Sequence, residues 1–171
     1  LGSSCIYPTN SKQPIQEENF LKGELEKTNE WYALAKISGI KLCQAFRIQE
    51  KCDFISIMPT NLYGPFDNFD KENSHVPAAL LSRTHLAKID KKNEVVVWGT
   101  GKPLREFMHV DDLADAIIFI TRNYSSINPI NVGTGDEISI KDFAFLIKEV
   151  VNFKGKIKFD TTKPDGIKRK L

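Results

Sequence analysis

Apolar and polar positions along this chain follow two periods that take turns. After Asn29 the residues Ala35, Leu42, Ala45 and Phe46 recur at i, i+7, i+10 and i+11, which predicts a helix from Glu30 to about Glu50. Asp53 to Met58 (DFISIM) is rich in β-branched and aromatic residues and closes at Pro59, as a buried strand would. A second helix is expected over His75 to Lys88, with Pro77 in its first turn, followed by a strand at Glu94 to Trp98. Leu113, Ala116, Ile117 and Ile120 mark a helix over Asp111 to Arg122, and Pro129 to Val132 a short strand that turns at Gly133 to Gly135. Ser139, with Asp142 three residues on, resembles a capping box for a helix whose expected apolar stripe is Ile140, Phe143, Leu146, Ile147, Val150 and Val151. Lys156 to Asp160 alternates like a half-exposed strand. Leu1 to Tyr7 reads as the end of a strand entering the aperiodic stretch from Pro8 to Gln16, and Pro65, Asp67 and Asn68 mark another loop.

Strands that alternate with helices predict an α/β protein with a parallel sheet. The 171 residues, 41% apolar and 27% charged, fall in the range of soluble globular domains. No apolar run reaches the roughly 18 to 20 residues of a membrane span, and no signal-peptide pattern opens the chain. The chain begins at Leu1, without Met, in strand-like residues, so it is expected to be a piece of a longer protein.

The net charge of +2 creates no strong field. Seven basic and two acidic residues between Lys154 and Leu171 form a basic end, either suited to a phosphate group or simply solvated. No nucleic-acid-binding signature accompanies it. Cys5, Cys43 and Cys52 form no C-x-x-C pair, which suggests a reducing, cytoplasmic setting. His75, His85 and His109 lack metal-site spacing, so no metal is expected.

Two segments carry candidate chemistry. Tyr32 and Lys36 are four apart on the first helix and so share a face, where an ammonium favours a phenolate and equips the tyrosine for proton transfer. Upstream, Leu1-Gly2-Ser3-Ser4-Cys5 ends a strand in small hydroxyl residues and a thiol, and ligands in such sheets bind at the carboxyl ends of strands. Either feature alone occurs in ordinary helices and loops. Strand-end hydroxyls followed by Tyr-x-x-x-Lys resemble the short-chain dehydrogenase/reductase superfamily in its extended branch.

The likeness sharpens across LGSSCIYP, TNEWYALAK, MPTNLYGPFDNF, ENSH, VVVWGTGKPLREFMHVDDLADA, NVGTG and KPDGIKRKL. Together these segments resemble the GDP-L-fucose synthase family, and the resemblance spans essentially the whole chain. It implies 3,5-epimerisation and 4-keto reduction of GDP-4-keto-6-deoxy-D-mannose with NADPH, in a homodimer. By that resemblance the catalytic residues are Ser3, Cys5, Tyr32, Lys36 and His75, with Cys5 and His75 exchanging carbon-bound protons. Cofactor contacts are implied for Leu1, Gly2, Ser3, Ser4, Lys36, Pro59, Thr60, Asn61, Leu62 and His75, with Asn61 able to bond the nicotinamide. Substrate contacts are implied for Arg83, Trp98, Arg105 and Asp165, although Trp98 equally suits core packing and Lys168, Arg169 and Lys170 equally suit a plain surface.

The implied fold is the C-terminal part of a Rossmann-type parallel sheet plus a smaller substrate-binding α/β domain, truncated at both ends. Residues 1–64 would finish the NADP-binding domain. Residues 65–171 would be largely substrate-binding, with the chain returning to the first sheet around 107–133. Alternatives within the superfamily are a nucleotide-sugar 4-epimerase or a 4,6-dehydratase; outside catalysis, a dinucleotide-binding module. The glycine-rich pyrophosphate turn is not found, since Gly99 with Gly101 and Gly133 with Gly135 lack a third glycine at the right offset. The 171-residue polypeptide by itself is therefore expected to bind NADPH weakly and not to turn over. Fluorescence titration of the purified polypeptide checks this; micromolar affinity would contradict it.

Overall fold

The computed structural model describes residues 1–70 and 74–171, so the Glu72-Asn73 part of the ENSH motif lies outside the described residues. In chain order the elements are α1 (Glu30–Glu50), β1 (Ile57–Pro59), β2 (Asn61–Tyr63), α2 (Val76–Ile89), β3 (Glu94–Trp98), β4 (Leu104–Arg105) and β5 (Phe107–His109). There follow α3 (Val110–Asn123), β6 (Ile130–Val132), β7 (Ile138–Ser139), α4 (Ile140–Val151), β8 (Lys156–Asp160) and β9 (Arg169–Lys170). The fold is α/β with parallel strand pairs. The chain divides into two units: Leu1–Leu62 with Glu106–Asp136 and Lys170–Leu171, and Tyr63–Arg105 with Glu137–Arg169.

In the first unit β1 and β6 pair in parallel, with Ile57 opposite Ile130 and Pro59 opposite Val132. Ala33, Ile37 and Ile40 form the buried stripe of α1, and Ile37 and Ile40 pack with Ile6, Tyr7 and Met58. The expected stripe was a different one: Ala35, Leu42 and Phe46 are exposed. The reason is that α1 carries apolar residues around most of its circumference, so periodicity alone does not select a face. Ile15, Phe20 and Leu25, in a stretch without regular periodicity, close over the same cluster. Helix α3 starts where the His109 Nδ1 accepts from the Asp111 N–H at 3.2 Å, with Asp111 and Asp112 in the positive first turn.

In the second unit β3 and β8 run in parallel over their full lengths, Glu94 opposite Lys156 and Trp98 opposite Asp160. Their buried positions Val95 and Val97 meet α2 and α4 through Leu80, Ala87, Ala144 and Ile147, with Phe153 closing one end. Pro77 sits in the first turn of α2, where its missing N–H costs nothing. The Ser139 hydroxyl accepts from the Asp142 N–H at 3.0 Å and donates to the Asp142 carboxylate at 2.6 Å, so the expected cap of α4 forms. Leu146 and Val150 are nevertheless exposed; the buried stripe runs through Ala144 and Ile147, because the smaller alanine lets α4 approach the sheet. The strand expected at 53–58 is assigned only from Ile57, and Leu1 to Tyr7 forms a 3-10 turn at Ser4–Ile6 instead of an assigned strand.

Ile147→Ala is expected to destabilise the protein by about 2–5 kcal/mol, as truncation of a well-packed aliphatic side chain leaves a cavity. Urea denaturation measures this, and a loss within about 0.5 kcal/mol would show that the α4 contact is loose.

Candidate active site

In the first unit the chain's opening residues lie directly on β1. The Gly2 N–H donates to the Ile57 carbonyl at 2.8 Å, and a Cβ at Gly2 would stand 2.2 Å from Met58 Sδ. A side chain at that position would require the Met58 thioether to shift. The Ser3 hydroxyl then accepts from the Cys5 N–H at 3.2 Å and starts the turn that buries Ile6 completely. Its neighbour Ser4 lines a cavity of about 240 Å³ together with Tyr7, Thr60, Glu106 and Lys170. The half-buried Cys5 sulfur accepts a hydrogen bond from Lys170 Nζ at 3.4 Å.

Helix α1 brings the Tyr32 and Lys36 pair to this segment. Lys36 Nζ donates to the Leu1 carbonyl at 3.1 Å and lies 5.6 Å from the Tyr32 ring centroid. The ammonium has three donors, so two remain for a ligand. Tyr32 is half exposed, and its hydroxyl has no hydrogen-bond partner among the described residues.

The segment after β1 is held from below. The Thr60 N–H donates to the Val132 carbonyl at 3.1 Å, while the Thr60 hydroxyl and the Asn61 amide donate to the Glu106 carbonyl at 3.1 and 2.9 Å. The Asn61 amide nitrogen is thus engaged by the main chain. Pro59 and Leu62 flank these two residues at the end of β1 and the start of β2. Glu106 is almost fully buried, and its carboxylate accepts from the Gly135 N–H at 2.8 Å and the Thr134 hydroxyl at 3.4 Å. A Cβ at Gly133 would stand 2.2 Å from that carboxylate. Tyr7, also buried, donates to Asn131 Oδ1 at 2.6 Å; burial first, and then the Glu17 carboxylate, push its phenol up to about 12.

The remaining expected residues belong to the second unit. His75 is exposed at the N-terminus of α2. Trp98 is 63% exposed, which excludes the core-packing reading, and its ring has Arg83 at 6.0 Å and Lys163 at 5.5 Å. Burial lowers the Arg83 pKa from its ordinary value, and its guanidinium donates to the Ala79 and Val96 carbonyls, both at 3.3 Å. Arg105 donates to the Leu104 carbonyl at 2.8 Å. Asp165 holds the turn after β3, accepting from the Thr100 N–H at 2.6 Å and the Thr100 hydroxyl at 2.7 Å. Gly99, at φ +83°, leaves the room, since a Cβ there would stand 2.3 Å from Asp165 Oδ1.

Comparison with known proteins gives this geometry a lineage. The model of the NAD dependent epimerase/dehydratase family matches residues 1–133. The chain belongs to that family. It is 61% identical to GDP-L-fucose synthase 1 of Arabidopsis thaliana, over all of this chain and 53% of that protein. Against the GDP-L-fucose synthase of Escherichia coli K12 the identity is 51%, over all of this chain and 56% of the other. A crystal structure of a GDP-L-fucose synthetase from Naegleria fowleri bound to NADP superposes with a TM-score of 0.93 at 37% identity, covering 99% of this chain and 55% of that one. The chain therefore spans about half the length of the curated relatives it matches.

The donors present in the first unit suit part of a nicotinamide dinucleotide. Lys36, bonded to the Leu1 carbonyl, retains N–H groups for sugar hydroxyls, and Tyr32 beside it has an unengaged hydroxyl. Among the described residues no cluster of His, Cys, Asp and Glu could hold a metal ion, and no helix is long and apolar enough to cross a membrane. Sequence reasoning missed Glu106 and Tyr7, because nothing in their spacing tells that they are buried. Lys170 suits a plain surface in the sequence, because its contact with Cys5 spans 165 residues of chain.

The Asp165 pKa is held below the usual carboxylate value, first by the Thr100 hydroxyl and then by the Thr100 N–H. A depressed folded value means stability that is present above the ordinary Asp pKa of about 3.9 and lost as pH falls through the folded value. Wild type is thus expected to exceed Asp165→Asn in urea midpoint at neutral pH, with the gap closing below about pH 4. A gap unchanged into acid would contradict this origin.

Proposed function

We propose that this chain carries the reactive residues of a GDP-L-fucose synthase, converting GDP-4-keto-6-deoxy-D-mannose to GDP-L-fucose with NADPH. The observation that carries the reading is the convergence in one unit of a strand-end serine, a thiol contacting an ammonium, and a Tyr-Lys pair whose lysine bonds the strand end. The 51–61% identity to GDP-L-fucose synthases over the whole chain supports the substrate class.

The C4 ketone acidifies the C–H bonds at C3 and C5. Cys5 as thiolate takes such a proton, the bond's electrons move into the enolate, and an imidazolium at His75 returns a proton to carbon. Ser3 keeps its O–H for the C4 oxygen, because its lone-pair side is the one engaged by the Cys5 N–H. Tyr32 gives its proton to that oxygen during reduction, and the Lys36 charge supports the phenolate left behind. When bound, NADPH supplies the hydride for C4. Leu1 to Ser4, Lys36, Pro59 to Leu62 and His75 are the residues assigned to hold it. The Asn61 amide nitrogen fixes the loop through the Glu106 carbonyl, which leaves its amide oxygen for the nicotinamide.

In the second unit Arg83 and Arg105 suit a diphosphate and the exposed Trp98 ring a flat base or sugar face. Asp165 would act beside them through the turn it holds at Thr100. A homodimer and a reducing cytoplasmic location belong to the same reading. Exposed Trp31, Leu42 and Ile48 on α1 support the first, and three free cysteines the second.

Expressed from the complete reading frame, the wild type is expected to oxidise NADPH in the presence of the keto sugar. Tyr32→Phe should lower kcat by roughly 10²–10⁴-fold. Cys5→Ser should abolish fucose formation while still binding NADPH. Product analysis by chromatography with absorbance at the NADPH band reads all three, and a folded wild type that oxidises no NADPH would sink the assignment.

A further inference from the structure

Lys170 is the cation that touches the thiol, and its backbone is pinned. The Leu171 N–H donates to Gln13 Oε1 at 2.7 Å, and the Leu171 carbonyl accepts from the Ile15 N–H at 2.8 Å. The Ile15 carbonyl in turn accepts from the Asn131 amide at 3.0 Å, which ties this segment to β6. A lysine held this way differs from a solvated surface lysine, whose ammonium keeps its freedom and its full hydration. Its Nζ donates to Cys5 Sγ at 3.4 Å, so the sulfur is the acceptor. The cavity beside them is lined by one other charged side chain, Glu106, whose carboxylate is engaged by the Gly135 N–H and the Thr134 hydroxyl.

We propose that Lys170 is the positioning residue of the Cys5 base, aiming the sulfur through the Nζ–Sγ contact, so that carbon-proton abstraction depends on Lys170 whereas hydride transfer does not. The inference rests on the reading of Cys5 as a base. An ammonium beside a sulfur favours the anionic form, which is the form that takes a proton. In the step itself the C–H electron pair passes into the enolate, the proton goes to sulfur, and Lys170 stays protonated throughout. Charge is conserved, because the negative charge moves from sulfur to the enolate oxygen.

The test uses the full-length protein and iodoacetamide, with each cysteine followed separately by peptide mass spectrometry at neutral pH. Lys170→Met, which keeps an unbranched stem of similar length, is expected to slow alkylation of Cys5 about tenfold while Cys43 and Cys52 react as before. Lys170→Arg should restore most of the rate. In turnover, Lys170→Met should lose fucose formation at an unchanged KM for NADPH. A Cys5 rate that stays the same in Lys170→Met, or that falls in step with Cys43 and Cys52, overturns the proposal. Retention of epimerisation by Cys5→Ser would instead sink the base assignment and leave the alkylation result standing, so the two readings fail separately.

Discussion

The first unit is organised by the contact between the Gly2 backbone and β1. The N–H of Gly2 reaches the Ile57 carbonyl, and the absence of a side chain lets the main chain lie against Met58. The candidate site residues at the strand end are placed from it. Ser3 and Cys5 are placed by the turn that starts there, Ile6 is drawn under α1, and α1 is thereby set so that Lys36 reaches the Leu1 carbonyl. A side chain at residue 2 would require the end of the buried Met58 side chain to shift within the cluster it forms with Ile37 and Ile40. The hydrophobic packing of α1 and the hydrogen bond of Lys36 therefore act in the same direction.

Below this arrangement lies a polar layer that fixes loops instead of reacting. Glu106 joins the segment after β1 to the turn after β6, using its carbonyl for one and its carboxylate for the other. Tyr7, Asn131 and Glu17 join the irregular stretch before α1 to β6. Each of these buried or partly buried groups has a partner, which is the condition under which burial of a polar side chain is tolerated. The candidate catalytic pair contrasts with them. Tyr32 and two of the Lys36 donors remain uncommitted, as groups that must exchange partners with a ligand have to be.

How much of this could be read beforehand differed by element. The spans of α1, β3 and β8 were legible to the residue, and α2 and α3 within one or two, because long periodic stretches bounded by Asn29 or Pro77 leave little choice, while Ser139 marked the start of α4. The buried faces were less legible. On α1 the apolar residues surround the helix, and only the partners Ile6, Tyr7 and Met58 decide that Ala33, Ile37 and Ile40 turn inward. Two-residue strands such as β4 and β7 carry no period at all, so they are defined by pairing alone, Leu104 with Ser139 and Arg105 with Ile138. Of the candidate site, the Tyr32 and Lys36 pair was visible because it is local. The Cys5 to Lys170 and Asn61 to Glu106 contacts were not, since each joins residues far apart in the chain through topology.

In the proposed function one molecule carries out two reactions, proton exchange at carbon through Cys5 and reduction at C4 assisted by Tyr32. Turnover of the full-length protein in deuterium oxide with protiated NADPH, followed by NMR of the isolated GDP-sugar, tests this most directly. The expected product is GDP-L-fucose with deuterium at C3 and C5 and protium at C4, formed with one NADPH oxidised per molecule. A reduced sugar without deuterium at C3 and C5, or deuterium there with no NADPH consumed, would contradict it.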